Sequence, residues 1–260
     1  MKSYNRISVT LAVAGVCLAA SGAYAQVTSI NSAVIDQRVY DDYPGATGTY
    51  LNNYPTAITL GEAGEYAASG FANRDEWFFS NNGSSPYTFG ANDYFYSSMT
   101  VDVTGDTTVD NEAGFLIPNT PSGLPGGDMQ FIVDPNSGFI GMFGGPGYWN
   151  SGLTYTAGEA VTLSMEYFYD TANSVNAFDF SVNAGGPTVT SGVIDLPSGD
   201  SLVGGDVGAY FQLAGMTDAP GSTGQAVFSD ISITPVPEPA TLALLGLGAL
   251  PLGRLLRRRA

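Results

Sequence analysis

The sequence predicts an all-β fold, a two-sheet antiparallel β-sandwich, and three observations support that class. The 260 residues include 34 Gly and 15 Pro, and tyrosine and phenylalanine outnumber every charged residue type except aspartate. Such a composition favours strands joined by turns over helices. Short apolar or alternating runs recur along the body of the chain, and no convincing amphipathic helix interrupts them.

The predicted strands follow one another along the body with turn residues between them. In "TLSMEYFYD", Leu163, Met165 and Tyr167 face one way and the residues between them face the other. Turn signals include "DPNSG", "NAGGP" and "LPSGD". No linker divides the body, so we expect one domain over residues 26–234. The predicted strands are residues 27–35, 77–80, 94–103, 114–117, 129–133, 139–143, 160–169, 177–182, 188–194, 208–213 and 226–234.

The body of the chain is strongly acidic. Between the apolar runs at the two ends, only Arg38 and Arg74 oppose 23 acidic residues, all 24 except Glu238, which gives a net charge of −21. Phosphate binding needs clustered lysine and arginine, so nucleic acid is excluded as a partner. Two interpretations of the acidity stay open: solubility of an exported protein, and binding of a divalent cation.

The first 25 residues have the organisation of a secretory signal peptide. A basic start is followed by an apolar run at residues 7–20 and by a small-x-small cleavage site at Ala23 and Ala25, before Gln26. The run is shorter than the roughly 20 residues of a membrane-spanning helix, and the cleavage site follows it. We therefore expect removal of the peptide after Ala25 and export of the rest.

The chain ends in a stiff spacer, an apolar run and a basic tail. The spacer contains Pro237, Glu238 and Pro239, and its prolines end the preceding strand because they cannot donate backbone hydrogen bonds. The apolar run at 240–253 is short for a span of roughly 20 residues, which favours a temporary stop-transfer element over a permanent anchor. A basic cluster after such a run stays on the cytoplasmic side of a membrane. The cluster consists of Arg254, Arg257, Arg258 and Arg259.

The Pro-Glu-Pro triplet, the apolar run and the terminal arginines, in that order, resemble the PEP-CTERM sorting signal of Gram-negative bacteria. In that family the signal is held in the inner membrane and cut near the triplet by an exosortase, a membrane cysteine transpeptidase. The resemblance implies that residues 235–260 are a sorting signal with a short transmembrane helix. It also implies an exosortase as partner, transient anchoring in the inner membrane, and delivery to the cell surface or an exopolysaccharide matrix.

A second resemblance lies in the body. The stretch "GDMQFIVDPNSGFIGMFGG", then "YTAGEAVTLSMEYFYDTANSVNAFDFSVN" and the closing "AVFSDISITPVPEP" are similar in strand order to concanavalin-like or laminin-G-like jelly rolls, which are often found on PEP-CTERM proteins. The resemblance implies a jelly-roll sandwich. It leaves the function open, because jelly rolls host binders, enzymes and scaffolds alike.

Few catalytic mechanisms are compatible with the composition. The chain has no histidine, and its only cysteine, Cys17, and only lysine, Lys2, fall in the signal peptide. Histidine-based triads and zinc sites, serine–lysine dyads and cysteine nucleophiles are thereby excluded. Glu166 and Asp170 lie on one predicted strand about 13 Å apart, too far for the facing carboxylates of a glycosidase. We expect a protein that is not an enzyme.

A calcium site is one candidate for ligand binding. The turn-rich stretch "DVTGDTTVDNE" gathers four carboxylates, although their spacing does not match an EF-hand loop. Solvated turns are the alternative interpretation. The candidate ligands are Asp102, Asp106, Asp110 and Glu112.

A glycan-binding surface is the other candidate. Flat aromatic rings present an apolar face to sugar rings, and Trp77, Tyr148 and Trp149 are considered for that role. Trp149 is favoured because "GGPG" just before Tyr148 predicts an exposed loop. Ordinary packing in the core or a loop is the alternative.

Together these observations predict an exported, non-catalytic component of the cell surface or extracellular matrix, associated with exopolysaccharide or biofilm and sorted by its C-terminal signal. The alternative is a lectin-like module that binds extracellular polysaccharide, with calcium as its candidate cofactor.

Overall fold

The structure is a computed structural model that describes residues 27–64, 70–119, 124, 127–214 and 221–237. Within these ranges it confirms the predicted class, because the chain forms two antiparallel β-sheets and, at Val27–Ser29, a short 3-10 turn. Among the described residues, no helix is long and apolar enough to cross a membrane. The predicted signal peptide and the apolar run at 240–253 lie outside these ranges.

The strands are numbered along the chain. They are β1 (Ser32–Asp41), β2 (Thr47–Asn53), β3 (Ala57–Ala63), β4 (Ala72–Ser80), β5 (Phe95–Gly105), β6 (Asp110–Ile117), β7 (Met129–Asp134), β8 (Phe139–Phe143), β9 (Trp149–Asn150), β10 (Val161–Asp170), β11 (Val175–Asn183), β12 (Val189–Thr190), β13 (Ile194–Asp195), β14 (Gly208–Ala214) and β15 (Thr223–Pro235).

Two sheets pack face to face. The seven-stranded sheet has the order β1-β4-β14-β6-β7-β8-β9, and the eight-stranded sheet has the order β12-β11-β10-β5-β15-β3-β2, with β13 paired to β11. Neighbouring strands are often distant in sequence, since the chain crosses repeatedly from one sheet to the other. This arrangement is a jelly-roll sandwich.

Aromatic rings fill much of the space between the sheets. Trp77 is fully buried and makes edge-to-face contacts with Phe79 at 5.2 Å and Phe228 at 5.9 Å between ring centroids. Phe131 of β7 packs against Phe180 of β11 at 5.2 Å and so joins the two sheets. Edge-to-face pairs of this kind add to the stabilisation that burial alone provides.

The observed strands correct the predicted ones at several places. The strands β2, β3 and β9 were not predicted, and β4 begins five residues earlier than residue 77. The first strand was predicted at 27–35, but it is Ser32–Asp41 and follows the 3-10 turn. The strand predicted at 188–194 is instead two short pairings, β12 and β13, on neighbouring parts of β11.

A buried polar cluster connects the two sheets where β1 to β4 meet. Arg38, which has φ 55°, donates a hydrogen bond from Nη2 to Oε2 of Glu62 at 3.0 Å. Its backbone N–H donates to Oδ1 of Asp75 at 2.8 Å. The hydroxyl of Tyr50 donates to Oε1 of Glu62 at 3.2 Å. Burial, together with the charge of Asp75, raises the pKa of Glu62 to about 7.

The last strand occupies the middle of its sheet. β15 pairs with β3 on one side and β5 on the other, and the pairing with β5 extends to Pro235 opposite Phe95. One residue later, the backbone N–H of Val236 donates to the carbonyl oxygen of Tyr94 at 2.9 Å. The described fold therefore continues up to the first residues of the predicted sorting signal.

Candidate functional site

The outer face of the seven-stranded sheet carries an unusual set of polar side chains. Side chains alternate between the two faces of a strand, so Trp77 of β4 faces the core while Arg74 and Glu76 face away from it. On the neighbouring strand β14, Tyr210 and Gln212 face the same way. This face also has a small apolar cluster of its own, formed by Phe78, Leu116, Ile132 and Tyr210.

Arg74 lies at the centre of this face and is almost completely buried. Its Nε is 2.8 Å from Oε1 of Glu76 and its Nη2 is 3.4 Å from Oδ2 of Asp128. The guanidinium lies 4.4 Å from the ring centroid of Tyr210 and 5.5 Å from that of Tyr40. Burial raises the pKa of Glu76 to about 7, although Arg74 opposes the shift. The charge of Arg74 is thus already balanced within the protein.

Tyr210 organises a second set of contacts on the same face. Its hydroxyl lies 2.8 Å from Oε2 of Glu112 and 2.6 Å from Oε1 of Gln130. Complete burial, reinforced by the charge of Glu112, raises the pKa of Tyr210 well above its ordinary value. The phenol therefore stays protonated at neutral pH and acts as a hydrogen-bond donor. It is unsuited to act as a general base.

These polar side chains form the floor of an open cleft with a volume of about 400 Å³. We call it the outer cleft: its floor is Arg74, Glu112, Gln130 and Gln212, and its rims include Tyr40, Phe71 and Phe143.

The rims of the outer cleft present aromatic rings to solvent. Tyr40 is 45% exposed and Phe71 is 64% exposed. Phe71 is held in place by its backbone N–H, which donates to Oδ2 of Asp42 at 2.7 Å. On the opposite rim, Phe143 packs near Phe139 at 6.4 Å between centroids. Two exposed rings on one rim and a half-buried ring on the other, beside a polar floor, are suited to a ligand with apolar faces and polar edges.

The floor retains hydrogen-bonding capacity. One terminal amide atom of Gln130 bonds to the hydroxyl of Tyr210 at 2.6 Å, and the other amide atom has no partner among the described residues. Gln212 donates weakly from Nε2 to Oε1 of Glu112 at 3.5 Å, and within the same part of the chain its Oε1 has no donor. One amide atom of each glutamine is thus available to a ligand.

The three aromatic residues predicted to bind glycan lie in different environments. Trp77 is fully buried, which corrects the prediction that it contributes to such a surface. Trp149 is half-buried and packs against the core at 6.0 Å from Phe131. Tyr148 is 68% exposed and stacks on Phe139 at 6.1 Å, so it extends the aromatic surface beyond Phe143.

The four acids predicted as calcium ligands are not brought together. Glu112 lies in the outer cleft, while Asp102 is on β5 of the other sheet. Asp106 accepts hydrogen bonds from Thr108 within its own turn, and Asp110 accepts one from Nδ2 of Asn136 at 2.6 Å. In the part of the chain that the structure describes, no three histidine, cysteine, aspartate or glutamate side chains are grouped to hold a metal ion.

A second cavity, of about 190 Å³, lies beside β3 and β15. Threonines, glycines and Glu62 line it, and no aromatic ring does. The outer cleft is therefore the better candidate for ligand binding.

The residues of the predicted sorting and cleavage signals are mostly outside the described ranges. Pro237 is described and exposed. Glu238 and Pro239, the cleavage site at Ala23, Ala25 and Gln26, and the basic tail at 254–259 fall outside.

The C-terminus of the chain matches a known family model, and the body is similar to several solved structures. Residues 235–259 match the family model of the PEP-CTERM protein-sorting motif, which confirms the predicted resemblance. No curated protein matches the chain.

Several solved structures are similar to the body. A family 7 alginate lyase, A1-II′, has 10% identity and a TM-score of 0.45 over 72% of this chain and 83% of the lyase. Arcelin-5, a lectin-like defence protein of Phaseolus vulgaris, has 12% identity and a TM-score of 0.44 over 79% of this chain and 100% of its own. Lectin II of Ulex europaeus has 14% identity and a TM-score of 0.41 over 73% of this chain and 98% of the lectin.

Proposed function

The chain carries a PEP-CTERM protein-sorting motif at residues 235–259, and from this premise we propose an exported protein that an exosortase processes. The apolar run would hold the chain in the inner membrane of a Gram-negative bacterium until cleavage near Glu238. The body would then reach the cell surface or the extracellular matrix. The signal peptide predicted at 1–25 supports this route, because the motif requires prior export.

We further propose that the body is a non-catalytic module that binds polysaccharide in the outer cleft. The observation that carries this proposal is the exposure of Tyr40 and Phe71 beside a floor with available amide groups. Sugar rings have apolar faces that stack on aromatic rings and hydroxyl edges that bond to amides. A purely structural protein would not need exposed aromatic rings beside available amide groups.

The state of the carboxylates supports binding rather than hydrolysis. Glu76 is paired with Arg74, and Glu112 is bonded to Tyr210. A glycosidase needs two carboxyl groups that are available to the glycosidic bond from opposite sides. The carboxyl groups of Glu76 and Glu112 instead hold Arg74 and Tyr210 in place beneath the outer cleft.

The sorting proposal is tested by the intact mass of the protein recovered from its native cells. We expect a chain that starts at Gln26 and ends near Glu238, with or without an attached group. A chain that still ends at Ala260 in the membrane fraction would contradict processing.

The binding proposal is tested by retention of the protein on a panel of neutral and acidic polysaccharides. We expect Tyr40→Ala to weaken retention by roughly tenfold, since loss of one stacked ring removes about 1 kcal/mol or more. Tyr96→Ala is the matched control, because Tyr96 is 40% exposed on the opposite sheet. Equal retention of both variants would show that the outer cleft is not the binding site.

A further inference from the structure

The outer cleft has a charge balance that restricts what it can bind. Arg38 and Arg74 are the only basic residues between the two terminal apolar runs. Arg38 is bonded to Glu62 and to Asp41 in the cluster between the sheets. Arg74 alone belongs to the cleft, and its guanidinium is already paired with Glu76 and Asp128.

An acidic sugar would therefore find no unpaired positive charge in the cleft. Uronate and sulfate groups are usually bound by arginine or lysine side chains that offer charge-assisted hydrogen bonds. Here a carboxylate would have to displace Glu76 or Asp128 from Arg74. It would also approach Glu112 and a body whose net charge is −21, from 2 basic and 23 acidic residues.

The groups that remain available are uncharged. One amide atom of Gln130 and Oε1 of Gln212 have no partner among the described residues. A sugar hydroxyl both donates and accepts a hydrogen bond, so it matches both amides. The rims supply stacking surfaces, which do not depend on ligand charge.

We infer that the ligand of the outer cleft is a neutral polysaccharide and that polyanionic polysaccharides are excluded from it. This inference rests on the proposed polysaccharide-binding function and adds the chemical class of the ligand. Recognition is by stacking and amide hydrogen bonds. Binding should therefore be insensitive to salt, because screening acts on charge–charge interactions.

Affinity electrophoresis of the protein from its native cells tests the inference. The gels contain a neutral β-glucan, a neutral galactomannan or alginate. We expect retardation by at least one neutral polymer, unchanged at about 0.5 M NaCl. We expect the dissociation constant for alginate to be larger by roughly tenfold or more. Equal or tighter binding to alginate that is lost in salt would overturn the inference and leave polysaccharide binding intact.

Substitution of the two floor glutamines, Gln130 and Gln212, tests whether the polysaccharide binds in the outer cleft. Gln130→Ala and Gln212→Ala should each weaken binding of the neutral polymer by roughly three- to tenfold, through loss of one hydrogen bond. Gln225→Ala on β15 of the other sheet is the matched control and should bind as the parent does. Melting curves establish that all three variants are folded. Parent-like binding by both cleft variants would overturn the inference, and absence of binding to every polymer would overturn the proposed function itself.

Discussion

The guanidinium carbon of Arg74 lies 4.4 Å from the centroid of the Tyr210 ring. A cation over an aromatic face is attracted by the ring quadrupole, most strongly where water is excluded. Both residues are buried, and each also bonds to carboxyl groups on the same face. The floor of the outer cleft is consequently a connected network, and a change in one member should affect the others.

Removal of the buried cation should destabilise the sandwich. Arg74→Met leaves the buried carboxyl of Glu76 without its partner, and we expect the free energy of unfolding to fall by about 3 kcal/mol. Urea unfolding measures it. In the double variant Arg74→Met with Glu76→Gln the loss should be smaller than the sum of the single losses. Strict additivity would mean that the two side chains do not interact.

The stability should depend on pH between about 4.5 and 7. The folded-state pKa of Glu62 is raised to about 7, from an ordinary value of 4.5. Between these values the folded protein binds more protons than the unfolded chain, so the free energy of unfolding falls as pH rises. Glu76 contributes in the same direction, since its pKa is also raised to about 7. Thermal melts across this pH range measure the effect.

The variant Glu62→Gln tests the source of that pH dependence. The amide does not titrate, so the decline of the melting temperature with pH should be smaller than in the parent. Glu159→Gln on the exposed surface is the control and should decline as the parent does. A parent-like decline in Glu62→Gln would assign the pH dependence to other groups.

Trp77 should matter for stability and not for ligand binding. Trp77→Ala removes a fully buried indole from between Phe79 and Phe228, and we expect a loss of about 3 to 5 kcal/mol. Trp77→Phe should lose less and should bind polysaccharide as the parent does. Chemical denaturation and a retention assay provide the two readouts. Weaker binding by a folded Trp77→Phe protein would contradict the core role.

The aromatic surface beyond the cleft should depend on Tyr148 rather than Trp149. Tyr148 is exposed and stacked on Phe139, whereas Trp149 packs against the core. We expect Tyr148→Ala to weaken binding of long polysaccharides several-fold without a change in melting temperature. We expect Trp149→Phe to leave binding unchanged. The reverse pattern in the retention assay would restore Trp149 as the ligand-binding ring.

Gly208 should not tolerate a side chain. A Cβ at this position would collide with the backbone carbonyl of Trp77 on the neighbouring strand. We expect Gly208→Ala to lower the free energy of unfolding by about 3 kcal/mol, as overpacking in a closely packed region does. Gly147→Ala is the control, because nothing lies within 4 Å of its Cβ. Similar melting temperatures for the two variants would contradict the close approach.

The sequence predicted most accurately those strands whose side chains alternate clearly. β10 spans Val161–Asp170, against a predicted 160–169, because the buried apolar residues from Val161 to Tyr167 recur with a period of two. β4 was only partly predicted. Its first half contains Asn73 and Asp75, which face inward and bond to Tyr43 and Arg38. A strand prediction based on apolar alternation misses polar residues that face the core and bond to buried partners.

The outer cleft could not be predicted for a different reason. Arg74, Gln130 and Gln212 come from β4, β7 and β14, which are distant in sequence. Only the strand order of the sheet brings them to one face, and no local spacing encodes that order. The sequence also did not show that Trp149 packs against the core while Tyr148 is exposed, because the glycine-rich turn before them predicts exposure for both.

The position of β15 also determines how the body would carry mechanical load. Its last residue, Pro235, is also the first residue of the sorting motif, so tension from a membrane or matrix attachment would enter along this strand. Hydrogen bonds to β5 and β3 lie on both flanks and across the direction of pull. They would be sheared together rather than peeled one at a time, as they would be on an edge strand. An attachment through the sorting motif would thus load an interior strand of the sandwich rather than an edge strand.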